Sequence, residues 1–287
     1  YRVIPLSMEI FADVRTPIEV LRILKGVDAH CFLLESVEKA ERWGRYSFLG
    51  FAPSMEITCH DSKLTLKTDE KTEIINTDEP QKYIKRIIED NRSPRLDFLP
   101  PFTGGLVGYF SYDFIKYFEP KLKLDACDEE NFKDVDLMLF DKVIAFDNLR
   151  QKIVLIVNIK TDNLEENYKK GTVELQKLAS LIKNGFPKKV LPGRLKSEFR
   201  PLFNKEKFCD MVKKAKHYIK EGDIFQVVLS NRFDADFEGE LLNTYRFLRT
   251  INPSPYMFYF GSNDLEIAGA SPETLVKLDN GKLYTFP

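Results

Sequence analysis

Between residues 30 and 76 the chain breaks into five short runs, 30–37, 47–51, 55–60, 63–67 and 72–76, with Asp61-Ser62 and Asp69-Glu70 at turn positions. Several of them alternate apolar and polar residues, the period-two pattern of a strand with one face in a core. Short strands joined by tight turns pair antiparallel, so the pattern predicts an antiparallel meander. Helical signals surround it. Thr16, Pro17 and Glu19 form a capping box with proline at the first helical position, and Gly26 can end that helix. Tyr83, Ile84, Ile87 and Ile88 recur at helical spacing behind Pro80, over 79–91. Residues 135–146 and 152–159 read as a hairpin turning through 147–151, and 164–183 as a long amphipathic helix stopped near Gly185 and Pro187.

The stretch 187–201 mixes prolines, a glycine and basic residues with little periodicity, as linkers do. Beyond it Asn204 can cap a helix with Phe208, Met211, Val212, Ala215, Tyr218 and Ile219 on one face, ending at Gly222. A strand over 224–233, a helix over 241–251 and strands over 256–260, 274–278 and 283–286 follow, the last two flanking Asp279-Asn280-Gly281. Strands in blocks with interspersed helices, rather than strict β-α alternation, predict an α+β fold with large antiparallel sheets. The division expected is 1–186, a linker over 187–201, and 202–287.

Composition removes several classes of function. With 43 basic and 44 acidic residues, no bulk field draws the chain to nucleic acid or an anionic membrane. At 43% apolar and 30% charged residues the chain is globular in profile, yet no run approaches the ~20 apolar residues of a membrane helix. Cys31, Cys59, Cys127 and Cys209 are scattered, and His30, His60 and His217 lack ligand spacing, so reduced thiols, no zinc site and a cytoplasmic setting are expected. No phosphate-binding glycine loop or zinc-protease motif occurs.

Five segments carry residues that cost stability where they stand. Leu33-Leu34-Glu35-Ser36 puts a carboxylate and a hydroxyl after an apolar strand. Residues 101–109 pack Gly104, Gly105 and Gly108 into a strand-like stretch, where glycine signals close backbone approach or a bulge. Gln226 sits in an apolar strand start, where a buried amide must find partners. Pro253 and Pro255 stiffen the entry to an aromatic strand, and Glu273 stands beside another apolar run.

In this order the segments LLES (33–36), RYSFLG (45–50), PFTGGLVGYFSYD (101–113), GDIFQVVLSNRF (222–233), NPSPYMFYF (252–260) and GASPETLVK (269–277) resemble the chorismate-utilising enzymes, most closely the large subunits of anthranilate synthases. The resemblance runs along essentially the whole chain. It implies a four-layer α/β/β/α fold, in which 1–186 is the inhibitor-binding half and 202–287 begins the chorismate-binding domain. Such enzymes add ammonia to chorismate as its C4 hydroxyl leaves, then release pyruvate to give anthranilate. A partner glutamine amidotransferase supplies the ammonia and Mg2+ holds the substrate carboxylate.

By resemblance Glu273 is the acid that protonates the departing hydroxyl, and an apolar neighbourhood is expected to keep it protonated. Gln226 falls where water-adding relatives carry a lysine base. Water needs a base to become a nucleophile and neutral ammonia does not, so an amide there favours the ammonia-using branch. Glu35, Ser36, Pro255, Tyr256 and Met257 match positions that hold the feedback inhibitor tryptophan: the carboxylate for the ammonium, Tyr256 and Met257 as a wall for the indole. The Mg2+-binding glutamates of the family are expected beyond Pro287, so the chain reads as truncated and inactive as it stands, at most a non-catalytic tryptophan-binding module. The alternative within the family is an aminodeoxychorismate synthase, which a lysine just after Pro287 would mark.

Overall fold

A computed structural model describes residues 1–36, 44–119, 121–122, 128–279 and 281–285. In chain order the first elements are β1 (Val3–Phe11), α1 (Pro17–Leu24), β2 (Cys31–Glu35), β3 (Tyr46–Phe51), β4 (Met55–His60), β5 (Lys63–Lys67), β6 (Thr72–Asn76) and α2 (Pro80–Asp90). There follow β7 (Gly105–Phe110), a 3-10 turn (Tyr112–Tyr117), β8 (Val135–Phe140), β9 (Lys142–Asp147), β10 (Lys152–Lys160) and α3 (Leu164–Asn184). The remainder is β11 (Arg194–Leu195), β12 (Arg200–Pro201), α4 (Lys205–Glu221), β13 (Phe233–Asp234), β14 (Phe237–Glu238), α5 (Leu242–Ile251), β15 (Tyr256–Gly261), β16 (Glu266–Ser271), β17 (Lys277–Asp279) and β18 (Lys282–Tyr284). Two compact units result, one of residues 1–190 with 244–287, the other of residues 191–243.

The larger unit is built on two antiparallel sheets. One has seven strands in the order β1-β10-β9-β3-β2-β15-β16, the other five in the order β6-β5-β4-β8-β7. Phe32 and Phe260 of the first meet Met138 and Phe140 of the second in a shared apolar core. On the far side of the seven-stranded sheet, α3 lies on β10 and β1, and α1 on β2 and β3. Gly171 of α3 lets the helix approach closely, since a Cβ there would come within 2.7 Å of Leu6 and Ile159 side-chain atoms. On the far side of the five-stranded sheet, Ile84 and Ile87 of α2 and Tyr117 pack on Ile57, Leu64 and Leu137. The layers are therefore helix, sheet, sheet, helix, as the resemblance implies.

The caps form as the sequence predicts. Thr16 Oγ1 accepts from the Glu19 amide at 3.3 Å, Asn204 Oδ1 accepts from the Lys207 amide at 2.9 Å, and Gly222 ends α4 with φ +84°.

Several sequence expectations are corrected. The meander over 30–76 is split between sheets: β3 belongs to the larger and β4 to the smaller, with Ala52 turning the chain at φ +47° before Pro53. Residues 135–146 are likewise two strands, β8 and β9, that change sheet at Asp141. The apolar runs on either side of Asp141 and Lys142 hide the break, because residues on both faces of the two strands are buried. The strand expected over 224–233 is not formed: only Phe233 and Asp234 pair, with Arg200 and Pro201, while Phe225 and Val228 are 99% and 88% exposed. β propensity makes no strand unless a neighbour takes up its N–H and C=O groups.

The strand expected over 274–278 narrows to β17. Val37, Asn280 and Phe286, at the ends or turns of expected strands, lie outside the described residues, as does Cys127. β1 and β16 escape the sequence reading. Pro5 disguises β1, yet it stands on a sheet edge, where a missing N–H costs nothing. β16 is a run of small residues, and Gly269 in it lies under the Phe258 ring, 2.2 Å from where a Cβ would be.

Candidate functional site

β2 and β15, far apart in sequence, lie side by side with Glu35 opposite Met257. The Glu35 side chain is 5% exposed and accepts hydrogen bonds from the Tyr245 hydroxyl at 2.8 Å and from Arg249 Nη2 at 2.9 Å, with Arg249 Nε also 2.9 Å from it. Burial pushes the Glu35 carboxyl above its ordinary value, although Arg249 and Tyr245 pull the other way. The same burial, with the carboxylate alongside, pushes the Tyr245 hydroxyl upward too. Ser36 Oγ is buried and has no partner among the described residues. Met257 is 1% exposed, and Pro255 is half-buried in the loop between α5 and β15.

Tyr256 stands apart from this group. Side chains alternate along a strand, so it faces away from Met257, hydrogen-bonds the Thr274 hydroxyl and lines a separate cavity.

That cavity, of about 1030 Å³, gathers four of the segments that carry the resemblance. Its walls are Arg45, Tyr46 and Phe48 from β3 and the loop before it, Pro101 to Gly104, Tyr256, and Glu273 to Asp279. Arg45 is held rather than free: its Nε and Nη2 grip Asp147 at 3.1 and 2.6 Å, and its guanidinium lies 4.8 Å over the Tyr46 ring. Asp147, 1% exposed, also accepts from the Leu149 and Arg150 amides of the hairpin turn. Burial works against its charged form, but Arg45 and the two amides outweigh that and hold its carboxyl below the usual range.

The glycines beside the cavity are there for close approach. A Cβ on Gly108, at φ +155°, would fall 2.0 Å from the Asp136 carbonyl, and one on Gly104 would fall 2.5 Å from Asn158 Nδ2.

Glu273 lies on the wall of this cavity and is exposed; its amide donates to Ser271 Oγ at 3.2 Å. The apolar enclosure expected around its carboxyl is not formed by the described residues. Gln226 is exposed as well and belongs to the smaller unit, not to a buried strand, so the buried placement expected for it is corrected. Sequence reasoning missed Arg249 and Tyr245. Their spacing of four on a helix was the available signal, since it places both on one face. Among the described residues no group of three or more His, Cys, Asp or Glu side chains could hold a metal ion, and no helix is long and apolar enough to cross a membrane.

Residues 29–287 match the family described as chorismate binding enzyme. Anthranilate synthase component 1 of Acetivibrio thermocellus is 37% identical over 295 residues, and that of Aquifex aeolicus 38% over 291. Each alignment takes in 100% of this chain but 59% of the relative, so the chain spans about three fifths of the length of these proteins. The crystal structure of anthranilate synthase component I from Streptococcus pneumoniae superposes with a TM-score of 0.66 at 28% identity, over 96% of this chain and 60% of that one. With the motifs, the layered sheets and these matches in agreement, the chain belongs to the chorismate binding enzyme family.

Proposed function

We propose that the chain is part of the large subunit of an anthranilate synthase, and that the longer protein converts chorismate and ammonia to anthranilate and pyruvate. One observation carries the reading: segments 45–48, 101–104, 256 and 273–279, distant in sequence, converge on one cavity with Glu273 on its wall. In the reaction Glu273 is the general acid. Its carboxyl proton goes to the C4 hydroxyl oxygen of chorismate as that C–O bond breaks and water leaves, while ammonia forms the new C–N bond at C2. Gln226 positions the ammonia and needs no basicity to do so.

An acid of this kind works when water is kept from it. Glu273 is exposed among the described residues, which supports the further proposal that the 287-residue chain alone does not turn over. Mg2+ belongs to the proposal for the longer protein; the described residues offer no cluster for it, and no step here uses it. The name component 1, carried by the relatives, supports a second component as partner, here a glutamine amidotransferase that delivers ammonia.

Glu35, Ser36 and Met257 we assign to a regulatory tryptophan pocket, supported by the buried Ser36 hydroxyl, which has no partner among the described residues, beside a buried carboxylate. The test is the fluorescence of anthranilate formed from chorismate, ammonium and Mg2+. The full-length gene product is expected to turn over, and Glu273→Gln to reduce its kcat by about 10²–10⁴. Turnover by the 287-residue chain, or full activity of Glu273→Gln, would overturn the reading.

A further inference from the structure

The crossing between the two sheets borders a second cavity, of about 600 Å³, formed within the larger unit. Its apolar wall includes Val3, Ile87, Leu139 and Phe140, all buried. Asp141 lines it, and Asp141 Oδ1 is buried with no hydrogen-bond partner among the described residues. The crossing itself makes no use of that carboxylate. It is held by the backbone carbonyl of Asp141, which accepts from the Asn158 amide at 2.8 Å and from Asn158 Nδ2 at 3.1 Å.

Two polar side chains close to Asp141 have committed their protons, and the cations of Arg2 and Lys160 also line the cavity. Asn158 Nδ2 also donates to the Thr103 carbonyl at 2.6 Å, and Ser54 Oγ donates to the Leu139 carbonyl at 3.2 Å. What Ser54, Asn158 and Asp141 can still offer is acceptor oxygens. Asp90, a second carboxylate in the lining, is already paired with Arg2. A buried carboxylate oxygen without a donor is unfavourable, so a group that supplies N–H and positive charge to Asp141 Oδ1 gains there. A metal ion is the poorer match, because the acidic residues do not converge into a set of ligands.

We propose that this cavity binds a small organic amine, its primary ammonium donating to Asp141 Oδ1 and its hydrocarbon part lying on Val3, Ile87 and Leu139. The site is separate from the cavity that holds Glu273, although Ser93 and Gly104 line both, so an occupant would touch the back of the glycine-rich segment. The proposal does not depend on the anthranilate synthase reading.

Isothermal titration of the 287-residue protein with n-butylammonium chloride, n-butanol and potassium chloride tests it, together with amide chemical-shift mapping. Saturable binding of butylammonium alone is expected, with shifts at Ser54, Gly104, Gly105 and Asn158. Asp141→Asn, which keeps the shape and removes the charge, is expected to weaken binding at least tenfold. Equal affinity in Asp141→Asn, equal binding of butanol, saturable binding of potassium, or shifts confined to other residues would each overturn the proposal. Should Asp141→Asn fail to fold, the three wild-type titrations and the shift map decide between the same outcomes.

Discussion

Replacing Arg249 by methionine tests how the Glu35 pocket is held together. The substitution keeps most of the apolar stem and removes the cation. Glu35, 5% exposed, is then left with the Tyr245 hydroxyl as its remaining strong donor from α5. Breaking a buried pair by deleting one partner costs about 3–5 kcal/mol. Arg249 is itself 31% exposed, so water can replace part of what it supplied, and about 3 kcal/mol at pH 7.5 is the expectation.

The penalty has a pH signature. Burial already raises the Glu35 carboxyl, and losing Arg249 raises it further. In the window between the unfolded value and this raised one, the native state binds a proton that the unfolded state does not, so stability falls as pH rises. Going from pH 7.5 to pH 5.5, the penalty should shrink by at least ~1 kcal/mol, against a ceiling of about 1.4 kcal/mol per pH unit. Urea unfolding followed by far-UV circular dichroism, on wild type and Arg249→Met at both pH values, measures it. Glu35→Gln combined with Arg249→Met should cost less than the two single changes summed. A penalty under ~1 kcal/mol, or one identical at the two pH values, would falsify the picture of a buried carboxyl whose charged form Arg249 favours.

The two glycines of β7 should respond differently to alanine. Gly108→Ala meets the Asp136 carbonyl and should cost more than ~3 kcal/mol, whereas Gly105→Ala has free space and carries backbone strain alone, about 1–2 kcal/mol; equal unfolding midpoints for the two variants would count against this account. The Arg45–Asp147 pair stabilises the fold at and above the ordinary carboxylate range and loses its effect as pH falls through the depressed Asp147 value, so Asp147→Asn should flatten the acid limb of the stability curve. An acid limb unchanged in that variant refutes the assignment. If the proposed tryptophan pocket is correct, Ser36→Leu in the full-length protein should abolish inhibition by tryptophan and leave kcat near wild type, because Ser36 does not line the cavity that holds Glu273. Inhibition that survives both Ser36→Leu and Met257→Thr puts the inhibitor elsewhere.

Much of the fold was legible because its signals are local. Thr16, Pro17 and Asn204 punctuate helices through bonds made within a turn, and the alternation in 55–76 needs only its own neighbours. What stayed hidden is set by partners distant in sequence. Asp141 interrupts an apolar run without breaking its pattern, and nothing local says that residues on its two sides enter different sheets. Residues 224–230 have the composition of a strand but, among the described residues, no neighbour to pair with. At the candidate site, Glu35, Ser36 and Met257 were visible as polar or soft residues at the ends of apolar runs. Arg249, which pairs with Glu35, was not, since an arginine on an amphipathic helix is ordinary surface until its partner is known.

The pairing of β2 with β15 also governs how the protein is made. Glu35 meets Met257, so some two hundred residues must leave the ribosome before β2 gains this neighbour. At about 5–20 residues per second, that is on the order of ten to forty seconds of synthesis. Throughout that interval the β2 edge, with Phe32, Leu33 and Leu34 along it, lacks its eventual cover. Loss of β15 and β16 would return the nascent chain to this state permanently, with one edge of an apolar strand open to any other chain in the same condition. A nonsense change upstream of Tyr256 is therefore expected to yield aggregate and chaperone-bound chains rather than a shorter folded product, and codon choice between residues 36 and 256 becomes a determinant of yield.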